Sequence, residues 1–117
     1  MDINEIKIGD WFEFSEGRGQ ISLIYGDTVT IGTYQPDIAE LKPIPLTKEI
    51  LEKNGWVRNK NGNYVNKKYS FIEIYPCSHK ATEFGINIGD RCMIIIDSVH
   101  ELQHILWVIG ENDNLTI

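Results

Sequence analysis

Apolar and polar positions alternate in short, glycine-punctuated runs over the first third of the chain. Trp11-Phe12-Glu13-Phe14 follows a turn at Gly9-Asp10 and then alternates in and out as a strand does. Gly17-Arg18-Gly19 is expected to break it. Gln20 to Tyr25 reads as a second strand, Gly26-Asp27 as a tight turn, and Thr28 to Thr33 as a β-branched third strand. Three short strands joined by glycine turns predict a meander, in the form of a small SH3-like barrel or a curled sheet. Ile86-Asn87-Ile88-Gly89-Asp90 repeats the form of Ile6-Lys7-Ile8-Gly9-Asp10. Such a short repeat does not argue duplication, and both stretches read as the same turn leading into a strand.

The pattern changes at Leu41-Lys42-Pro43-Ile44-Pro45-Leu46. Each proline pushes the residue before it out of the α region, so this stretch must be extended. Thr47 then supplies an N-cap hydroxyl for a short helix to Asn54, with Glu49 in the first turn where the helix dipole favours a carboxylate. Gly55 stands where a left-handed C′ residue belongs, and Trp56 can fold back onto Leu51 to close a Schellman turn. Start, dipole and stop signals agree on a helix of about two turns.

Trp56 to Arg58 and Tyr64 to Asn66 flank Asn59-Lys60-Asn61-Gly62-Asn63, whose residues tolerate positive φ, and predict a hairpin. Tyr69 to Tyr75 reads as a strand. Arg91 to Ile96 is another, and its run Met93-Ile94-Ile95-Ile96 suggests burial on both faces. Pro76 to Asp90, between them, is the least regular stretch and reads as a long functional loop. Ser98 and Glu101 have the spacing of a capping box at the start of a last helix that Gly110 stops. Asn112-Asp113-Asn114 is expected to turn the chain into a terminal strand, Leu115 to Ile117. At about 100° per residue, Val99, Leu102, Ile105, Leu106 and Ile109 form one apolar arc that must face the core. His100 and His104 fall almost opposite that arc, beside Trp107 and Val108. The whole pattern predicts an α+β fold: a twisted, mainly antiparallel sheet with helices 47–54 and 98–109 packed against it.

At 117 residues the chain is the length of one ordinary domain, taken as 1–117. Its composition, 42% hydrophobic and 24% charged, is that of a folded chain rather than a disordered tail. A net charge of −6 repels phosphate backbones, so nucleic-acid binding through the N-terminal strands would need a local basic patch. Arg58, Lys60, Lys67 and Lys68 cluster around the predicted hairpin but read as a solvated edge. Cys77 and Cys92 are too few for a secreted disulfide framework. The start lacks the basic and apolar regions of a signal peptide, and no apolar run approaches the roughly 20 residues that span a bilayer. The expectation is a reduced, cytoplasmic protein without a membrane partner.

One motif names a reaction. His100-Glu101-Leu102-Gln103-His104 reads H-E-x-x-H, which on a helix lets two imidazoles share a zinc ion with the glutamate as base. Three features weigh against zinc-dependent hydrolysis. His100 and His104 lie opposite the core arc, where only another layer or molecule could wall a substrate site. The extended metzincin pattern needs glycine at 107 and histidine at 110, where this chain has Trp107 and Gly110. A third ligand would have to come from Glu111 or Asp113 downstream, or from Cys77, His79 or Cys92 upstream, all unusual for this pattern. No metal and no cofactor is therefore expected. Cys77-Ser78-His79 pairs a nucleophile with a base but has no identifiable orienting group. Gly17-Arg18-Gly19 lacks the lysine of a phosphate loop. Trp107, Val108, His100 and His104 make an amphipathic second face on a core-anchored helix. Either the 76–90 loop covers that face or it is an interface.

The stretch from Leu41 to Trp56 and the segment Val99-His100-Glu101-Leu102-Gln103-His104-Ile105-Leu106, with the opening Ile6-Lys7-Ile8-Gly9-Asp10-Trp11, resemble a group of small uncharacterised proteins from phages and prophages of gut bacteria. The resemblance spans most of the chain in order. Members often carry H-Q-L-Q-N where this chain has residues 100–104, so the group's shared role does not require Glu101 or His104. The resemblance implies no activity, cofactor or catalytic residue; it implies an accessory protein of a mobile element that binds host components. The resulting expectation is a small non-enzymatic binding module in the host cytosol. It would modulate a host protein, self-associate, or sequester a small defence signalling molecule, with Trp107, His100, His104 and Val108 as the interface. The alternatives are zinc-dependent hydrolysis, with His100 and His104 as ligands and Glu101 as base, and nucleic-acid binding.

Overall fold

Alternation along β1 (Trp11–Phe14) sends Trp11 towards one hydrophobic cluster and Phe12 into another, and the rest of the chain is arranged around that division. The computed structural model describes residues 2–77, 83–89, 92–109 and 115–117, with the side chains of Cys92 and Met93 excepted. The fold is α+β, measuring 44 × 27 × 21 Å.

On the N-terminal side, β2 (Gly17–Gln20) pairs antiparallel with β1, with Trp11 opposite Gln20 and Phe14 opposite Gly17. β3 (Leu23–Tyr25) and β4 (Thr28–Thr30) form a separate hairpin across Gly26, and β5 (Lys42–Pro43) pairs with the other edge of β1. Ile6, Phe12, Ile21, Val29, Ile31 and Leu41 form the first cluster. The expected meander is not formed as one sheet: the strand read from Gln20 to Tyr25 divides between β2 and β3, which lie in separate sheets, and the break was expected in the wrong place. Gly17-Arg18-Gly19 does not break the sheet; it is β2 itself. Gly19 is needed because a Cβ there would collide with the Ile31 side chain.

On the C-terminal side, α1 (Lys48–Lys53) has both its expected caps. Thr47 Oγ1 accepts the Ile50 N–H at 3.2 Å, and the Gly55 and Trp56 N–H groups donate to Glu52 O and Leu51 O at 3.1 and 3.0 Å. Those last two bonds are the Schellman pair, and Gly55 takes the positive φ (88°) they require. Five antiparallel strands then follow in chain order: β6 (Val57–Arg58), β7 (Tyr64–Val65), β8 (Ile72–Pro76), β9 (Phe84–Ile88) and β10 (Cys92–Ile96). α2 (Val99–Val108) completes the unit. The second cluster gathers Ile44, Leu46, Leu51 and Trp56 with sheet residues such as Ile74 and Ile86 and the α2 residues Val99, Leu102 and Leu106.

Four sequence expectations need correction here. The stretch 76–90 is not a long loop, because β9 lies inside it as the strand between β8 and β10. Phe84 and Ile86 are buried, while Gly85 between them lies against the Tyr75 ring, where no side chain would fit. The strand expected from Tyr69 starts only at Ile72, after a 3-10 turn over Lys67–Tyr69. β10 is not buried on both faces: Ile96 is 3% exposed but Ile95 is 49% exposed, because the cluster covers one face only. Residues 115–117 are not a strand. Leu115 fills the cluster, Thr116 N–H donates to Asn54 Oδ1 at 2.8 Å, and Lys53 Nζ donates to Ile117 O at 2.9 Å, so the end of α1 satisfies them instead of a sheet edge. Gly110 and the turn expected at 112–114 lie outside the described residues. Among the described residues, no helix is long and apolar enough to cross a membrane.

Candidate functional site

α2 starts where an extended segment meets it. Leu46 N–H donates to Asp97 O at 3.0 Å and Val99 N–H to Ile44 O at 2.9 Å. The expected capping box does not form, and Ser98 makes no side-chain cap. Ser98 Oγ instead donates to Glu101 Oε1 at 2.8 Å, and the same oxygen accepts the Asp97 N–H at 3.1 Å. A hydroxyl has one proton to give. Ser98 Oγ, 3.2 Å from His100 Nδ1, must therefore accept from that ring, which assigns the Nδ1–H tautomer to His100. Burial pushes the Glu101 carboxyl up, but the hydrogen bonds from Asp97 and Ser98 outweigh it and hold the group below its ordinary range.

The buried face of α2 is Val99, Leu102, Gln103 and Leu106; Ile105 and Ile109 are only partly buried. The helix is thus turned towards Gln103 relative to the arc read from the sequence. The reason is a second layer, the β1 region, which offers backbone polar groups that a glutamine can satisfy. Gln103 is 1% exposed; its Oε1 accepts the Trp11 N–H at 3.0 Å and its Nε2 donates to Gly9 O at 2.9 Å. Gln20 Nε2 donates to the same carbonyl at 3.0 Å.

This rotation also moves the histidine pair. His100 and His104 are not exposed opposite the core; they are half-buried in the seam between α2 and the start of β1. His100 packs on Phe12 with ring centroids 4.7 Å apart, and the two imidazoles meet edge to face at 5.6 Å. His104 Nε2 lies 2.7 Å from Oδ2 of Asp10, a fully buried carboxyl. The Lys7 N–H donates to that oxygen at 2.8 Å, while Asp10 Oδ1 has no hydrogen-bond partner among the described residues. Burial raises the Asp10 pKa against the pull of His104 and Lys7, and burial lowers that of His100. Asp10 was missed in the sequence because Gly9-Asp10 reads as a turn, and nothing local pairs it with a residue 94 positions away.

The other expected site residues separate. Trp107, 54% exposed, carries the Lys7 ammonium 3.7 Å from its ring centroid, so among the described residues part of its cover comes from residue 7. Val108 is 72% exposed. Between α2 and the β9–β10 hairpin lies a cleft of about 210 Å³ lined by Ile88, Ile94, Ile105, Val108 and Ile109, with His104 contributing to a wholly apolar wall. A larger groove of about 570 Å³ includes Arg18, Thr47, Glu49 and Lys53. Both its cations are engaged: Arg18 lies 3.3 Å from Glu13, and Lys53 donates to Ile117 O at 2.9 Å.

Among the described residues, no three His, Cys, Asp or Glu side chains form a group able to hold a metal ion. Ser78, His79, Glu111 and Asp113 lie outside the described residues, as does the side chain of Cys92, and Cys77 is half-buried. Chemically, the Asp10–His104 pair can hold a proton between two elements, while the Glu101 carboxylate is occupied in bonding the N-terminal turn of α2. No family model, no curated protein and no solved structure matches the chain.

Proposed function

We propose that this chain is a non-enzymatic binding module that docks another protein on the apolar strip formed by α2 and the β9–β10 hairpin. The observation that carries this reading is the cleft of Ile88, Ile94, Ile105, Val108 and Ile109, continuous with the 72%-exposed Val108. An apolar cleft continuous with exposed large side chains is the kind of surface that takes a partner. The four residues singled out in the sequence then divide in role. Val108, and Trp107 beside it on the helix, are contact residues, while His100 and His104 tie the helix to β1 and hold it in place. The three stretches that carry the resemblance to phage-encoded proteins come together at this helix: 6–11 through Gly9, Asp10 and Trp11, 41–56 through Ile44 and Leu46, and 99–106 itself. The resemblance of these stretches to phage-encoded proteins is what suggests a host protein as the partner.

Two other readings gain less. Zinc-dependent hydrolysis needs Glu101 free beside the metal, but Ser98 and Asp97 occupy its carboxylate. Sequestration of an anionic signalling molecule in the larger groove would have to displace Glu13 and Ile117 from Arg18 and Lys53.

The test compares wild type with Val108→Asp, and with Val57→Asp on the remote sheet edge (65% exposed) as control, by quantitative enrichment from a host lysate. The expected result is a defined protein enriched by wild type and by the Val57 variant, and lost with Val108→Asp while circular dichroism stays unchanged. Equal enrichment by all three would refute this surface.

A further inference from the structure

The two edges of the five-stranded sheet are built differently. At one end, β6 is only two residues long, Val57–Arg58, and places a charge at the border. At the other end β10 is five residues long, Cys92-Met93-Ile94-Ile95-Ile96, with no charge and no proline. Among the described residues no strand pairs with its outer side. Short length, charge and proline are the usual devices that keep an edge from pairing with another chain. β6 has two of them and β10 has none.

Resting on the binding reading above, we propose that β10 pairs antiparallel with β10 of a second copy about a two-fold axis, joining two sheets into one. The occupant follows from the chemistry of the edge. A row of backbone N–H and C=O groups calls for an extended strand. β9 and β10 are already antiparallel, so an antiparallel neighbour continues the sheet without a change of pattern. A two-fold pairing is self-complementary, with each strand supplying the match in length and side-chain spacing that the other needs. Electrostatics favour the same site. The chain carries a net charge of −6, so two copies repel over most of their surface and approach most readily where a strand is uncharged. Apolar surface is available on both sides of the joint. Ile95, 49% exposed, stands on the outer face, and Ile94 opens into the cleft with Val108 on the helix side. Beyond Ile96 the pairing segment ends, because Pro45 bridges Ser98.

Sedimentation equilibrium or light scattering across a concentration series tests this directly, together with amide hydrogen exchange. Wild type should dimerise, and protection of the 92–96 amides should rise with concentration while that of 57–58 does not. Ile95→Lys places a charge at a half-exposed position and should weaken the dimer at least about tenfold without altering the circular dichroism. Val57→Lys should leave the dimer intact. A wild type that stays monomeric up to roughly 1 mM, where even an association with a millimolar dissociation constant would already show, would overturn the pairing. A dimer indifferent to Ile95→Lys would overturn it as well. The binding reading fails separately, through loss of any enrichment dependent on Val108 from a chain whose dimerisation is intact.

Discussion

The two helices of this protein are held by opposite means. α1 is specified within a few residues of itself: Thr47 caps its start and Gly55 and Trp56 close its end, and the more distant Tyr69, stacked on the Trp56 ring at 5.6 Å, adds to a closure already made. α2 takes its first-turn bond from Ile44, more than fifty residues away, and its orientation from Gly9, Asp10 and Trp11 at the opposite end of the chain. A helix with local caps is legible in sequence because cap geometry depends on residues three or four apart. A helix oriented by remote polar groups is not, because its hydrophobic wheel shows only which face is most apolar. Here the face next to it, carrying a glutamine, is the one buried.

The largest expected effect lies at the closure of α1. Trp56→Ala empties a site that is 1% exposed and should cost about 3–5 kcal/mol in denaturant unfolding. Trp56→Phe should recover much of this, because the indole N–H is buried without a partner among the described residues and its removal leaves none of them unsatisfied. A Trp56→Ala protein as stable as wild type would remove the account of α1.

The contrast between local and remote anchoring is sharpened by a pair of smaller changes. Thr47→Ala removes one cap bond and should cost about 1 kcal/mol. Gln103→Leu replaces the amide with an apolar side chain of similar size, leaving the part-buried Trp11 N–H without this acceptor and Gly9 O with Gln20 as its remaining side-chain donor. It should cost more, about 2–3 kcal/mol. If the order were reversed, the seam between α2 and β1 would not be what orients the helix.

The smallest effects are those of pH. The His100 pKa is lowered by burial, so the folded protein binds that proton less readily than the unfolded chain. Stability should therefore decline as pH falls below its ordinary 6.5, and His100→Phe should flatten that decline. Asp10 acts in the opposite sense. Its raised pKa makes the folded form the better proton acceptor as pH falls, so Asp10→Asn should steepen the acid loss. Denaturant unfolding at about pH 7.5 and about pH 5.5 reads the His100 contribution, and extending the series down to about pH 4 reads that of Asp10. Identical pH slopes for wild type and both variants would mean the seam carries no titrating load in that range.

Much of the fold was readable in advance where spacing is short. Both caps of α1, the extended 41–46 stretch, the 57–65 hairpin and the turn at Gly26 all follow from proline, glycine and hydroxyl residues acting on their neighbours. β9 was missed because Gly85 and Asn87 gave its alternation the composition of a loop. Its identity as a strand depends on the Tyr75 ring lying against Gly85 from the next strand. The candidate site was legible in its members but not in its arrangement. The H-E-x-x-H spacing correctly placed His100 and His104 together on one face, where their rings touch.

What the amino-acid sequence determined by itself, then, is both helices, several of the strands and the α+β class, because helix caps, turns and strand alternation are written within a few residues. Which face of α2 is buried was decided only by the tertiary structure. A buried glutamine and a buried carboxyl are tolerable only where the fold brings them partners, Gly9 and Trp11 for Gln103, His104 and Lys7 for Asp10. Partners that far apart in sequence leave no local pattern.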